Sequence, residues 1–183
     1  RSSNQKFIPE PVDKTTGSCL FIISHKSFMS TPNKLDIYKE LQQELEDRKK
    51  KVRYFSDDTI TIEVDLANQW LYADWTGYQT EASVMKGCEK MLEAFRQYGL
   101  TLVLNDNTRV LGIWTPAAHW VGAVWLPQMK EAGLRRFAWI YSPSALSRFS
   151  TEESLRETPD PGIVRTFYGL NEGKNWLRSP EAG

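Results

Sequence analysis

The sequence predicts an α/β domain: a mixed sheet of five strands in the element order ββαβαβαβα, with an extra helix in front. Three observations carry this. Thr101 to Leu104 and Phe137 to Tyr141 are short apolar runs without alternation, the pattern of strands covered on both faces. Between them lies a helix-length apolar segment opened by Thr115-Pro116 and closed by Gly133, so two parallel strands are joined by a helical crossover. Upstream, Ile60, Ile62 and Val64 alternate with Thr61 and Glu63 before a turn at 65–68 and a second run, Trp70 to Trp75. That is a hairpin.

Taken in order, residues 1–28 mix Pro9, Pro11, Gly17 and polar residues without periodicity. They are expected to lie outside the fold, as a disordered tail or an extension ahead of Met29. Residues 29–56 are expected to be a helix and linker. Thr31 can cap the helix, Pro32 suits its first position, and Leu35, Tyr38, Leu41 and Leu45 form one narrow stripe. The stripe either docks on the domain, the preferred reading, or pairs with a second copy as a homodimer. The run Arg48 to Lys51 complements the helix dipole at its end.

The main domain is expected over 57–178, with a flexible C-terminus at 179–183. Trp70, Tyr72 and Asp74 share one face of the second strand; Leu71, Ala73 and Trp75 share the other. Gly77 ends that strand. Thr80 caps a helix reaching Tyr98, with Gly99 past its end. Its apolar stripe includes Cys88, read as a small core residue rather than a reactive thiol. After strand 101–105, residues 105–114 read as a polar loop. In the crossover helix, Pro127 predicts a kink near Ala123 or Val124. A helix from Ser144 to Glu157, a turn at 159–162, a strand at 163–167 and a helix at 170–178 complete the chain.

Composition narrows the function classes. Twenty-three basic and 23 acidic residues cancel, leaving no global field for nucleic acid or an anionic membrane. No apolar run is long enough to span a bilayer, and the expectation is a cytoplasmic protein without membrane insertion. Two cysteines and two histidines form neither a zinc pattern nor a disulfide framework. His119 lacks a nucleophile motif beside it, and no phosphate-cradling glycine loop or cofactor signature is present. No catalytic residue, metal ligand or cofactor is therefore expected.

The segment Tyr72-Ala73-Asp74-Trp75-Thr76-Gly77, Leu104-Asn105-Asp106 at the end of the third strand, and Phe167 with Trp176-Leu177 resemble, in that order, the STAS and SpoIIAA-like domains of anti-sigma factor antagonists, themselves related to CRAL-TRIO domains. The resemblance covers about residues 57–178. It implies a regulatory, protein-binding module with a serine or threonine phosphorylated after the aspartate. Here Asp106 is followed by Asn107, with a hydroxyl only at Thr108, so the phospho-serine switch is not expected.

In open sheets of this kind, ligands bind beyond the carboxyl ends of parallel strands. The expected partner-binding residues are accordingly Asp106, Asn107, Thr108, Arg109, Ser142 and Ser144 in the loops there. Trp114 and Trp120 join them if exposed. The same Asx and Ser residues also suit ordinary turns. A protein partner is the first reading. The alternative is a binder of a small apolar or lipid-like ligand, motivated by the tryptophans around the crossover helix.

Overall fold

The computed structural model of the chain describes residues 33–159 and 161–180. The expected tail at 1–28, the Thr31-Pro32 helix start and residues 181–183 lie outside them.

Helix α1 spans Lys34–Lys49 and is opened by Asn33, whose Oδ1 accepts the Asp36 N–H at 3.0 Å, a side-chain cap on an otherwise unsatisfied donor. Its apolar stripe does not dock, contrary to the preferred reading: Leu35, Tyr38, Leu41 and Leu45 are 61%, 55%, 49% and 56% exposed. With only Lys50 between the helix and the first strand, the connection is too short to fold α1 back over the sheet.

Six strands, not five, lie side by side in chain order: β1 Lys51–Ser56, β2 Ile60–Asp65, β3 Trp70–Tyr78, β4 Leu102–Leu111, β5 Arg136–Ile140 and β6 Val164–Phe167. β1–β2 and β2–β3 pair antiparallel, while β3 through β6 are parallel. The additional strand is β1, which adds its Val52, Tyr54 and Phe55 to the core. The basic run before it reads as the end of a helix and conceals its three aromatic and β-branched residues.

Gly77 does not end β3, and β4 does not stop at Asn105. Opposite Asp74 stands Asp106, but opposite Thr76 stands Arg109, so Asn107 and Thr108 together face Trp75 alone. This bulge realigns β4 and lets both strands run on. Gly77, at φ 72°, takes the left-handed backbone that continuation requires.

Helix α2, Glu81–Tyr98, has a reciprocal cap between Thr80 and Ser83 and ends at Gly99, φ 59°, as the spacing predicts. The crossover helix is broken into α3 Thr115–Trp120, a π turn Val121–Trp125, and α4 Leu126–Glu131. Pro127 has no N–H to continue the ladder. The strain is taken up by the π turn, in which the Leu126 N–H reaches Val121 O, and this covers the positions where a kink is expected. Thr115 is the first helical residue rather than the cap; Trp114 occupies the cap position without a side-chain bond. Helices α5, Ala145–Glu157, and α6, Leu170–Arg178, follow.

The alternation of side chains divides the core in two. One face of the sheet buries Ile62, Leu71, Val103 and Phe137 with Phe95 of α2 and Val121 and Trp125 of the crossover. The other buries Trp70, Leu104, Ala138 and Ile140 with Leu177 of α6. Gly173 lets α6 approach this face: a β-carbon there would lie 2.6 Å from Ile140 Cδ1.

Candidate functional site

Three consecutive polar residues, Asn105, Asp106 and Asn107, are buried in the middle of β4. This corrects their expected place in an exposed loop. Asn105 Oδ1 accepts the Trp75 indole N–H at 2.8 Å, and Asn105 Nδ2 donates to Asn107 Oδ1 at 3.0 Å. Asp106 faces the other side, accepting the Tyr72 hydroxyl at 2.9 Å and the Thr108 N–H at 2.9 Å. Polar side chains are tolerated at such depth because each finds a partner. Burial, then the charges of Asp106 and Asp74, hold the Tyr72 phenol well above its ordinary pKa, so it is a neutral donor. Arg109 is exposed and grips Asp74 through Nε at 3.2 Å and one terminal nitrogen at 2.5 Å. Burial, helped by the charges of Asp106 and Glu63, holds the Asp74 carboxyl above its ordinary range in spite of this pairing.

The expected loops thus do not converge on an open polar site. Ser142 is buried, donating to Val110 O at 2.6 Å and accepting the Ser144 N–H at 2.9 Å. Ser144 precedes α5 but makes no side-chain cap bond. Trp114 is also buried: its indole N–H donates to Ser147 Oγ at 3.3 Å, and its ring stacks on Trp139 at 6.1 Å between centroids. Trp120 is half-buried against the core. His119 is exposed and contacts Glu157 at 3.0 Å. Cys88 is buried, and burial holds its thiol well above the ordinary range, in line with a core role.

What the strand ends expose is apolar. At the carboxyl ends of β3 and β4, Tyr78, Leu111 and Ile113 are 76%, 46% and 48% exposed. Tyr78 pairs with Leu111 in register, and its ring lies 2.9 Å from where a β-carbon on Gly112 would be. Tyr168, just beyond β6, is exposed, and its ring lies tilted against that of Tyr141 at 5.2 Å between centroids. The helix that follows β5 is inverted. α5 buries Ser147, Ser150, Thr151 and Ser154 and exposes Leu146 and Phe149, at 57% and 49%.

The buried hydroxyls explain the inversion. Ser150 Oγ accepts the Trp114 N–H at 2.9 Å and Ser154 Oγ donates to Ala118 O at 3.0 Å. Small side chains bring α5 so close that a β-carbon on Gly122 would meet Ser154 O at 2.1 Å. Leu111, Ile113, Leu146 and Phe149 are the residues that sequence reasoning misses. The available signal is a stripe of Ser and Thr at helical spacing opposite Leu and Phe.

Behind this rim, between the sheet and the crossover, Trp75, Trp114, Trp125 and Trp139 with Phe137 line a cavity of about 30 Å³. Among the described residues no group of three or more His, Cys, Asp or Glu is placed to hold a metal ion, and no helix is long and apolar enough to cross a membrane. Comparison with protein-family models, curated proteins and solved structures finds no match.

Proposed function

We propose that this chain is a non-enzymatic, cytoplasmic protein-interaction module of STAS-like, SpoIIAA-like fold, acting without a phospho-serine switch. The observation that carries the reading is the inverted α5: it buries hydroxyls and turns Leu146 and Phe149 outward. Exposed large apolar groups at one end of a sheet mark a surface that another protein covers. With Tyr78, Leu111 and Ile113 also exposed at the carboxyl ends of parallel strands, the rim suits a partner that presents apolar side chains of its own.

The test is quantitative binding to a stoichiometric partner purified with the chain from its host. Phe149→Glu and Ile113→Asp should each weaken the complex by about 2 kcal/mol or more, roughly thirty-fold in Kd. The melting temperature of the free chain should stay within the range of ordinary surface substitutions. Unchanged affinity in both variants would refute the rim as the partner face.

The alternative, a small apolar or lipid-like ligand, draws on the four indoles around the cavity. Its volume of about 30 Å³, far below the ~150 Å³ that accommodates a benzene ring, is the reason the protein partner is placed first.

A further inference from the structure

Trp70 opens β3 on the face of the sheet that α6 covers, at the end opposite the rim, where Tyr78 closes the same strand. Lys51 stands opposite Asp65, and Asp65 opposite Trp70, so the three side chains form one row across β1, β2 and β3. Lys174 and Arg178, four residues apart and therefore on one side of α6, face this row. Between the two lies a cleft of about 300 Å³, lined also by Tyr72 and Leu104.

Three cations meet in this cleft without an anion of their own. Lys51 is exposed and Lys174 half-buried, and neither has a hydrogen-bond or ion-pair partner among the described residues. Arg178, also exposed, lies over the Trp70 ring at 5.1 Å from its centroid and gives Nε to Asn68 Oδ1 at 2.9 Å. Its terminal nitrogens have no partner among the described residues. The carboxylates of the wall are engaged elsewhere. Asp65 accepts the Ala67 and Asn68 N–H groups and the Asn68 amide, and Glu63 pairs with Arg53 at 3.6 Å. Burial, then the charges of Lys51 and Arg178, lower the Lys174 pKa in spite of Asp106 and Asp65. Positive charge is thus held here against desolvation and repulsion, and a bound anion would offset both.

A phosphate monoester fits these donors. It carries a charge of about −1.5 to −2 and three acceptor oxygens, and an arginine fork beside lysine ammoniums is the donor set that recognises it. The cleft is about twice the ~150 Å³ that accommodates a benzene ring, so it has room for an organic part beside the phosphate. We infer that this cleft binds a small soluble phosphate monoester, its phosphate held by Lys51, Lys174 and Arg178 and its organic part lying against Tyr72. The site is at the far end of the strands from the apolar rim and does not depend on the protein-partner reading.

Isothermal titration calorimetry of the full chain in phosphate-free buffer, with glycerol 3-phosphate as the probe, tests this. The titration should saturate at one site, with inorganic phosphate about tenfold weaker or more and glycerol silent. Lys174→Met and Lys51→Met keep most of the side-chain stem and remove the charge; each should weaken glycerol 3-phosphate about tenfold. Lys90→Met removes the same charge from α2, on the other face of the sheet, and should leave binding unchanged. Lys174→Met should melt no lower than the parent chain, because the charge it removes is one that folding desolvates. The inference is overturned by a titration that does not saturate, by equal affinity for inorganic phosphate, by cleft variants that bind unchanged, or by Lys90→Met weakening binding as much as they do. A lowered melting temperature in Lys174→Met with Lys51→Met silent would overturn it too, by making Lys174 a structural residue. Vesicles of phosphatidylcholine with phosphatidic acid present the same group on a lipid. Binding to them that requires Lys174, without response to glycerol 3-phosphate, would overturn the soluble ligand.

Discussion

Trp75 Nε1 donates to Asn105 Oδ1 at 2.8 Å across the β3–β4 pair, so a polar side chain in the middle of a buried strand is held by a tryptophan of the neighbouring one. Removing the acceptor leaves a buried indole N–H without a partner. Asn105→Leu should therefore destabilise the fold by about 1–3 kcal/mol in urea denaturation. A near-neutral result would mean that water replaces the amide there.

Gly122 stands in the π turn with Ser154 O 2.1 Å from where its β-carbon would be, and a backbone atom cannot rotate out of the way. Gly122→Ala should cost more than the few tenths expected of a surface helix position, about 2 kcal/mol by the usual scale of overpacking. Thermal melts of this variant beside Gly133→Ala would separate steric from conformational effects, since nothing lies within 4 Å of a β-carbon at Gly133, whose φ is 102°.

Burial pushes the Asp57 carboxyl up. The Thr59 N–H and hydroxyl, the Lys86 ammonium at 2.9 Å and the Ile60 N–H outweigh it, bringing the pKa to about 2 from an ordinary 3.8. A carboxylate depressed in the folded state contributes stability that is present above its unfolded pKa and lost as pH falls through its folded one. The stability gap between the wild-type chain and Asp57→Asn should hold from neutral pH down to about 4 and close between about 4 and 2. A gap that persists at pH 2 would assign the effect to the turn geometry instead.

Thr108 lies inside β4, on the bulge and half-buried, with its N–H bonded to Asp106. No helix begins until Thr115, so a negative charge at Thr108 meets no helix N-terminus to accommodate it or project it towards a partner. Partner affinity should be unchanged by Thr108→Glu while Phe149→Glu abolishes or greatly weakens it. The reverse ranking in a binding titration would restore a phospho-switch at this strand.

The alternation of Ile60, Ile62 and Val64, the unalternating runs around Val103 and Ala138, the Thr80 and Gly99 helix ends and the buried Cys88 were all legible in the chain. Each depends on neighbours in sequence, through backbone sterics, local hydrogen bonds or the period of a strand or helix. Pro127 likewise announced a disturbed helix, although that the disturbance takes the form of a π turn at Val121–Trp125 shows only in the structure.

Pairing across the sheet decided the rest. Asn105, Asp106 and Asn107 have the composition of a turn, and only Trp75 and Tyr72, some 30 positions away in sequence, make them strand residues. β1 exists because Val52 meets Val64, and Trp114 is buried because α5 offers it serines instead of leucines. Polarity at one position does not state whether a partner will be found for it. Local rules therefore determined the elements of this protein, while long-range hydrogen bonding and the close approach that small side chains allow decided which polar residues went inside and which apolar ones were left out.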